Sequence, residues 1–493
     1  MDLTLVPLLA ILTSLAAVPL ILWSSSKPNL RETWTILAAL VKFGLVLTLL
    51  PSALKGESVT LHLFDLAPGL PFALNADPLG VYFAVIASGL WIFTSFYSIG
   101  YMRGAGEDKQ TRYFASFAVC LSATIGIAFS ANLLTFILFY EILTLATYPL
   151  VIHKETEKAI RAGRKYLAFT LTAGLLLIAA AGMVYTYTGT LEFTPSGVFT
   201  DVDLPHNVIL VIFILFMGGV GVKAGIMPLH GWLPSAMAAP TPVSALLHAV
   251  AVVKSGVFAV IRVVGFVFGT DVMAEYGLND ILIILAGTTI IVASLLAFAQ
   301  DNLKRRLAYS TVGHLSYIVL GVALLTPLGM QGGIMHIAAH ATMKITLFFC
   351  AGAIYVNLHR ENISNLNGIA KAMPWTMAAF TIGSMGLAGI PPLNGFVSKW
   401  YLALGSLEGD MVLPLVILII SGLLNVGYFF PIIQRAYFRK GEGLENYGEA
   451  SPFMVVPLFI TASLSILFGM FPNLFFSFFD LASSIAKTLF TGV

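Results

Sequence analysis

Apolar runs of about 20 residues recur along the whole chain, and each run is long enough to cross a bilayer as a helix. Charged residues make up 10% of the sequence, against about 25% in an ordinary soluble domain. No polar stretch between the runs is long enough to fold as a soluble domain. The sequence therefore predicts an all-α integral membrane protein.

The runs predict about fourteen transmembrane helices. We expect these helices near residues 3–23, 33–50, 78–100, 113–129, 131–152, 164–187, 207–227, 242–268, 280–300, 307–325, 331–356, 373–405, 411–436 and 452–472. A short amphipathic tail follows at 474–490.

The distribution of Lys and Arg supports this arrangement. Of the 26 Lys and Arg residues, eighteen fall in the odd-numbered loops, and two fall in the even-numbered loops and the C-terminal tail. Cytoplasmic loops are rich in Lys and Arg, so we expect the odd loops in the cytoplasm and both termini outside. The net charge is only +2 and the basic residues are spread over short loops, so no nucleic-acid partner is expected.

One segment of the chain occurs twice. AGIMPLHGW at 224–232 in predicted helix 7 recurs as AGIPPLNGF at 388–396 in predicted helix 12. The copies lie five spans apart, an odd number, so they should cross the membrane in opposite directions. Proline breaks a membrane helix only where protein or water supplies partners for the freed carbonyls. Inverted repeats with broken helices are typical of transporters.

Five ionisable residues lie inside apolar runs. Glu141 is the acid at the centre of one run, and Lys223, Lys254, Lys344 and Lys399 lie in others. A charge at bilayer depth is costly, and it usually faces the protein interior and marks an ion or proton path. A nearby carboxylate stabilises a lysine ammonium, and separation of the pair favours release of the proton. These residues therefore predict a proton relay.

Helical spacing places the histidines relative to these lysines. His336, His340 and Lys344 are four residues apart and should form one stripe that faces protein or water. His248 and Lys254 are six residues apart and, in an unbroken helix, should lie on different sides of it.

Other polar residues have simpler interpretations. Lys42 and Arg262 should extend to the lipid headgroups, because they are assigned to span ends. His314 should form a hydrogen bond within its helix bundle, and His153 should be a solvated loop residue.

The sequence indicates no metal or cofactor. Cys120 and Cys350, its two cysteines, both lie in apolar runs, and there is no CxxC pair. No carboxylate or thiol stands near the histidines to complete a zinc site. There is likewise no nucleotide or flavin motif.

Several segments resemble the antiporter-type family. They are FYEILTL at 139–145, VKAGIMPLHGWLP at 222–234, PTPVSALLHAVAVVKSGV at 240–257, LKRRLAYST at 303–311 and HATMKITLF at 340–348. This family comprises Mrp cation/proton antiporter subunits, the proton-pumping membrane subunits of respiratory complex I, and relatives in membrane-bound hydrogenases. The resemblance covers roughly residues 75–440.

The resemblance implies a fold of fourteen helices with two inverted five-helix repeats and broken helices 7 and 12. The expected units are 1–112 (helices 1–3), 113–268 (first repeat), 280–436 (inverted second repeat) and 452–493 (helix 14 and the tail).

The resemblance also assigns the relay. Glu141 matches the helix 5 glutamate, Lys223 the helix 7 lysine, and Lys399 the terminal group of helix 12. The remaining relay residues lie on helices 8 and 11, and they are His248, Lys254, His336, His340 and Lys344. A lysine at position 399 is most similar to the D-type member of the Mrp antiporter or to its hydrogenase counterpart.

Two functional classes stay open at this point. The first is a subunit of an Mrp-type antiporter that exchanges Na⁺ or K⁺ for H⁺ in the cytoplasmic membrane of a prokaryote. The second is the ion-pumping membrane subunit of a redox-driven complex, such as a membrane-bound hydrogenase or an NADH:quinone oxidoreductase. Either class implies further membrane subunits and surrounding lipid as partners, and whether the assembly is an enzyme depends on which class is correct.

Overall fold

The computed structural model describes residues 3–67, 69–200, 202–444 and 447–491 and is overwhelmingly helical. The helices are α1 (Val6–Trp23), α2 (Pro28–Leu54), α3 (Pro78–Gly104), α4 (Gln110–Ala128), α5 (Leu133–Val151), α6 (Glu157–Thr188), α7 (His206–Ala224), α8 (Trp232–Ser235), α9 (Thr241–Ala249), α10 (Val252–Arg262), α11 (Thr270–Glu275), α12 (Leu278–Phe298), α13 (Leu303–Ala323), α14 (Pro327–Leu358), α15 (Pro374–Ala388), α16 (Asn394–Glu408), α17 (Val412–Phe438), α18 (Pro452–Met470) and α19 (Phe478–Thr491).

The predicted all-α membrane fold is confirmed. Within the described residues, twelve helical segments are long and apolar enough to cross a bilayer. The two other predicted spans correspond to α13, which carries several polar residues, and to the short pair α15 and α16. The count of fourteen spans therefore stays a prediction.

A β-hairpin lies between α2 and α3, where the sequence analysis predicted no regular structure. Strand β1 (Val59–Ala67) pairs antiparallel with β2 (Leu70–Ala76). Along the first half of β1 the side chains alternate between partly buried and exposed, which is the two-residue period of a strand. The polar residues between the strand's apolar ones hide this segment from a search for apolar runs.

The helix breaks predicted in spans 7 and 12 are both present. Helix α7 ends at Gly225 and α15 ends at Gly389, and both glycines have a left-handed backbone, with φ of +70° and +89°. This conformation is costly for residues that carry a Cβ. Beyond each glycine the chain turns through a proline and resumes as a second helical segment.

A third break, in span 8, was not predicted. Helix α9 ends at Ala249 and α10 begins at Val252, and the intervening Val250 and Ala251 both donate backbone hydrogen bonds to the carbonyl of Leu246. No proline or glycine marks these residues, so tertiary packing, which sequence patterns do not reveal, sets this break.

Helix α14 runs through the middle of the protein. It packs against helices from every part of the chain, including α3, α9, α13, α16 and α18. The most apolar 18 residues of α14 are entirely buried, as are those of the span formed by α9 and α10. Polar side chains on these helices therefore face protein and not lipid.

Three polar residues differ from their expected environments. Arg262 does not reach the headgroups: it is buried and forms a two-point ion pair with Asp77, with both N–O distances 2.6 Å. Lys42 is fully buried in the middle of α2. His153 is buried among Glu107, Arg112 and Lys154, and this burial lowers its pKa.

A buried chain of lysines and histidines

Lys254 and His340 form the centre of the candidate site. The Nζ atom of Lys254 on α10 lies 2.9 Å from Nδ1 of His340 on α14. Both side chains are fully buried. The break before α10 directs Lys254 towards α14, and the spacing of the α14 stripe places His340 opposite it.

Two further histidines extend this contact. His314 on α13 stacks beside His340, with ring centroids 5.6 Å apart, and its Nδ1 lies 3.2 Å from Nε2 of His336. One of these two nitrogens must carry the proton that they share. Nδ1 of His336 in turn lies 2.8 Å from the hydroxyl of Ser398 on α16. The three rings thus connect α10 with the helix that carries Lys399.

Lys399 lies at the broken end of α15. Its ammonium donates to the carbonyls of Leu387 (2.7 Å) and Ala388 (3.2 Å), which no longer have helical partners. The Nζ atom also lies 4.9 Å from the ring centroid of Tyr317. Asn425 on α17 donates to the same Leu387 carbonyl at 3.3 Å.

Lys344 joins this group from the other side of α14. Its Nζ donates to the hydroxyl of Ser310 at 2.8 Å. Ser310 accepts a hydrogen bond from Tyr428, and Tyr428 also donates to Asn425 at 2.7 Å. The amide nitrogen of Asn425 lies 3.4 Å from Nε2 of His314. Lys344, His314 and Lys399 therefore meet at one asparagine.

Lys223 and Glu141 form a separate pair in the first half of the chain. Lys223 is fully buried on the last turn of α7, donates to the Tyr140 carbonyl at 2.6 Å, and lies 3.3 Å from the centroid of the Tyr140 ring. Glu141 lies close enough to interact electrostatically with Lys223, yet the two form no direct ion pair. One carboxylate oxygen of Glu141 is buried without a hydrogen-bond partner among the described residues.

Gly174 on α6 makes room for the Glu141 carboxylate. A Cβ atom at position 174 would lie 2.6 Å from the carboxylate carbon, far inside van der Waals contact. A glycine at this point lets the acid occupy the interface between α5 and α6.

His248 is the predicted relay residue with the fewest contacts. It is fully buried on α9, and its ring stacks on Phe348 of α14 with centroids 4.8 Å apart. Neither of its ring nitrogens has a hydrogen-bond partner in the part of the chain that the structure describes. The expectation that His248 and Lys254 face different sides is wrong, because the break at Val250 and Ala251 turns both side chains towards α14.

The structure thus brings Lys254, His336, His340, Lys344 and Lys399 into one cluster. It places Glu141 with Lys223, and it leaves His248 between these two groups and without a polar partner in the described chain. Sequence reasoning undervalued His314 and missed the hydroxyl and amide groups that join the cluster, namely Ser310, Tyr317, Ser398, Asn425 and Tyr428. Their only sequence signal is a polar residue inside an apolar helix.

No group of three or more His, Cys, Asp or Glu side chains in the described ranges could hold a metal ion. The cluster is instead rich in lysine and imidazole nitrogens and in hydroxyls. Such groups can accept and donate protons in turn, and imidazole does so most readily because its unperturbed pKa lies near 6.5. The arrangement is therefore suited to moving protons.

These features define a multi-pass integral membrane protein of the transporter type, with helix breaks and ionisable side chains buried at its centre. The family described as NADH:quinone oxidoreductase/Mrp antiporter, transmembrane, matches residues 130–425. This match covers more than half of the chain, and the chain belongs to that family.

Known relatives come from both branches of the family. The chain is 32% identical over 405 residues to the N subunit of NADH-quinone oxidoreductase from Desulforudis audaxviator, covering 82% of this chain and 79% of the relative. It is 28% identical over 398 residues to the D-type subunit of the Na⁺/H⁺ antiporter from Alkalihalophilus pseudofirmus, covering 80% of each. Its fold matches a chain of the Mrp complex from Dietzia sp. DQ12-45-1b with a TM-score of 0.90 at 21% identity, over 100% of this chain and 98% of that one.

Proposed function

We propose that this protein is the proton- and cation-translocating subunit of a multisubunit Mrp-type antiporter that exchanges Na⁺ or K⁺ for H⁺. The observation that carries the proposal is the junction of two buried lysines, Lys254 and Lys399, through three neighbouring histidine rings. A purely structural core gains nothing from such groups, since burial of unpaired cations is costly. The similarity to the D-type antiporter subunit supports the same function.

The geometry supports a stepwise transfer of protons. Lys254 gives its proton to Nδ1 of His340, and the stacked rings of His314 and His336 pass a proton on towards Ser398. Ser398 precedes Lys399, whose ammonium is held by carbonyls that cannot themselves take a proton. The step from His340 to His314 has no direct hydrogen bond and requires a ring rotation or a water molecule.

Glu141 and Lys223 act as the controlling pair in this proposal. When the carboxylate approaches Lys223, it stabilises the ammonium, and when it withdraws, the lysine releases its proton towards α10. Gly256, two residues after Lys254, packs directly on the backbone of Lys223 and Ala224. The first pair and the central lysine therefore lie on adjoining helices.

The functional test removes the carboxylate without changing its shape. In assembled complex reconstituted in vesicles, we expect Glu141→Gln to abolish cation-dependent proton movement and Lys223→Ala to do the same. Glu157→Gln is the matched control, because Glu157 lies exposed on α6 and pairs only with Arg161 among the described residues. Normal transport by a well-assembled Glu141→Gln complex would contradict the proposal.

We further propose that the odd loops face the cytoplasm, that both termini lie outside, and that the protein resides in the cytoplasmic membrane of a prokaryote. The inverted repeats at 113–268 and 280–436 belong to the same proposal. The charge bias of the loops and the opposite direction of the two broken helices support it.

Thiol labelling tests this orientation. In a background without Cys120 and Cys350, we expect Lys158→Cys to react with a membrane-impermeant reagent only from the cytoplasmic side, and Asp203→Cys only from outside. Both positions are exposed. Asp203 is chosen from loop 188–206 because Asp201 lies outside the described residues. Labelling of both positions from one side would contradict the arrangement.

A second candidate is the pumping subunit of a redox-driven complex. The 32% identity to a subunit of NADH-quinone oxidoreductase favours this alternative. The subunits that copurify with the native protein decide between the two: further antiporter subunits support the first function, and hydrogenase or quinone-reductase subunits support the second.

A further inference from the structure

Lys42 is a buried cation that the relay described above does not use. It lies in the middle of α2, 14 residues from Pro28 and 12 from Leu54. At 1.5 Å per residue, the nearer helix end is about 18 Å away. The four-carbon stem of lysine cannot extend so far, so the ammonium cannot reach the headgroups.

The direction of the side chain confirms its burial. Lys42 occupies the inward stripe of α2 together with Ala38, Ala39 and Val46, and it has no exposed surface. The opposite face of α2, which includes Leu40 and Val41, is about half exposed. Lys42 therefore points into the bundle formed by α1, α3 and α4.

Two side chains contact the Lys42 ammonium. The hydroxyl of Ser14 on α1 lies 2.5 Å from Nζ, and the ring centroid of Trp91 on α3 lies 5.1 Å from it. Ser14 and Trp91 are themselves fully buried, and Nε1 of Trp91 has no hydrogen-bond partner within the described ranges. The face of an indole ring attracts a cation, and a hydroxyl can bond either the ammonium or the amine.

No acid of the surrounding described helices compensates the charge. Helices α1, α3 and α4, which pack on α2, contain no Asp or Glu, and Asp480 of α19 is exposed. The arginines of α3 and α4, Arg103 and Arg112, lie in terminal turns. Burial without a counter-charge disfavours the ammonium, whereas the Trp91 ring favours it. These opposing effects make the charge of Lys42 easy to change.

We propose that Lys42, Ser14 and Trp91 form a proton-binding site in the N-terminal helices, outside both repeats, and that this site exchanges its proton during transport. The transport part of the proposal rests on the proposed function, whereas the proton-binding part does not. The contact of α1 with α4, where Ser122 donates to the Ile11 carbonyl at 2.9 Å, joins this site to the first repeat.

Nuclear magnetic resonance of the assembled complex with ¹⁵N-labelled lysine tests proton binding. We expect one Nζ signal that is absent from Lys42→Met and that changes from ammonium to amine as the pH rises from 6 to 10. Ser14→Ala and Trp91→Phe each weaken a contact with the cation, so both should move this change to lower pH. A Lys42 signal that stays constant over the range, or that ignores both substitutions, overturns the site.

Vesicle transport tests the second part separately. Lys42→Met should displace the pH profile of cation-dependent proton movement, whereas Lys55→Met, at an exposed lysine just beyond α2, should leave it unchanged. An unaltered profile in an assembled Lys42→Met complex overturns proton exchange during transport. Loss of all transport in the native complex would instead contradict the proposed function itself.

Discussion

Replacement of Lys399 by methionine is expected to reduce cation-dependent proton movement at least about 100-fold, because a positioned proton-transferring group contributes roughly that factor or more. Methionine also leaves the Leu387 and Ala388 carbonyls without their donor. Lys399→Arg separates these effects, since arginine keeps the charge and the donors yet stays protonated at working pH. We therefore expect Lys399→Arg to assemble normally and to transport poorly.

The measurement is proton movement in vesicles across pH 6–9, with assembly checked on the same preparations. Lys399→Glu restores a titratable group without the lysine geometry and should give partial activity with a displaced pH profile. If the methionine and arginine variants both transport normally, Lys399 only caps α15, and the relay ends at another residue.

Removal of the Asp77 carboxylate is expected to destabilise the protein by about 3–5 kcal/mol, the usual cost of leaving a buried charge without its partner. Asp77 caps the first turn of α3 through the Gly80 amide and binds both terminal nitrogens of Arg262. The Arg262 guanidinium is otherwise surrounded by the rings of Phe193, Phe258 and Phe266, which cannot accept conventional hydrogen bonds. Asp77→Ala should thus strongly lower the temperature at which the detergent-solubilised complex unfolds.

A double substitution shows whether the charge is the cause. Asp77→Ala with Arg262→Met removes both charges and should recover much of the lost stability, leaving mainly the loss of the helix cap. Asp65→Ala is the control, because Asp65 pairs with His62 on the exposed hairpin. An Asp77→Ala protein as stable as the unchanged one would show that Arg262 finds other partners.

The sequence specified the helices better than the contacts of single polar residues. The length of each apolar run determines a span, and proline with glycine predicted the breaks that the structure contains after Ala224 and Ala388. The break at Val250 and Ala251 could not be predicted, because its residues are ordinary helix or strand formers and packing alone separates α9 from α10. The facing direction of His248 was wrong for that reason.

Buried partners distant in sequence explain the other errors. Arg262 binds Asp77 across 185 positions, and Lys42 binds Ser14 across 28. A single sequence shows the charge and its distance from a span end, and both fit a residue that extends to the headgroups. Helical spacing was more informative for His336, His340 and Lys344, because three residues of one helix fix a common face without knowledge of its neighbours.

The carbonyls that hold Lys399 have a consequence for how the two halves of the protein can be controlled. The C-terminal end of a helix carries a partial negative charge, so the end of α15 stabilises an ammonium with no acid present. This charge belongs to the peptide bonds and is the same at every pH. Lys223 differs, because its acidic neighbour Glu141 can gain or lose a proton of its own. A signal that arrives as a proton can therefore enter through the Glu141 half, whereas the Lys399 half responds only to movement of its helices.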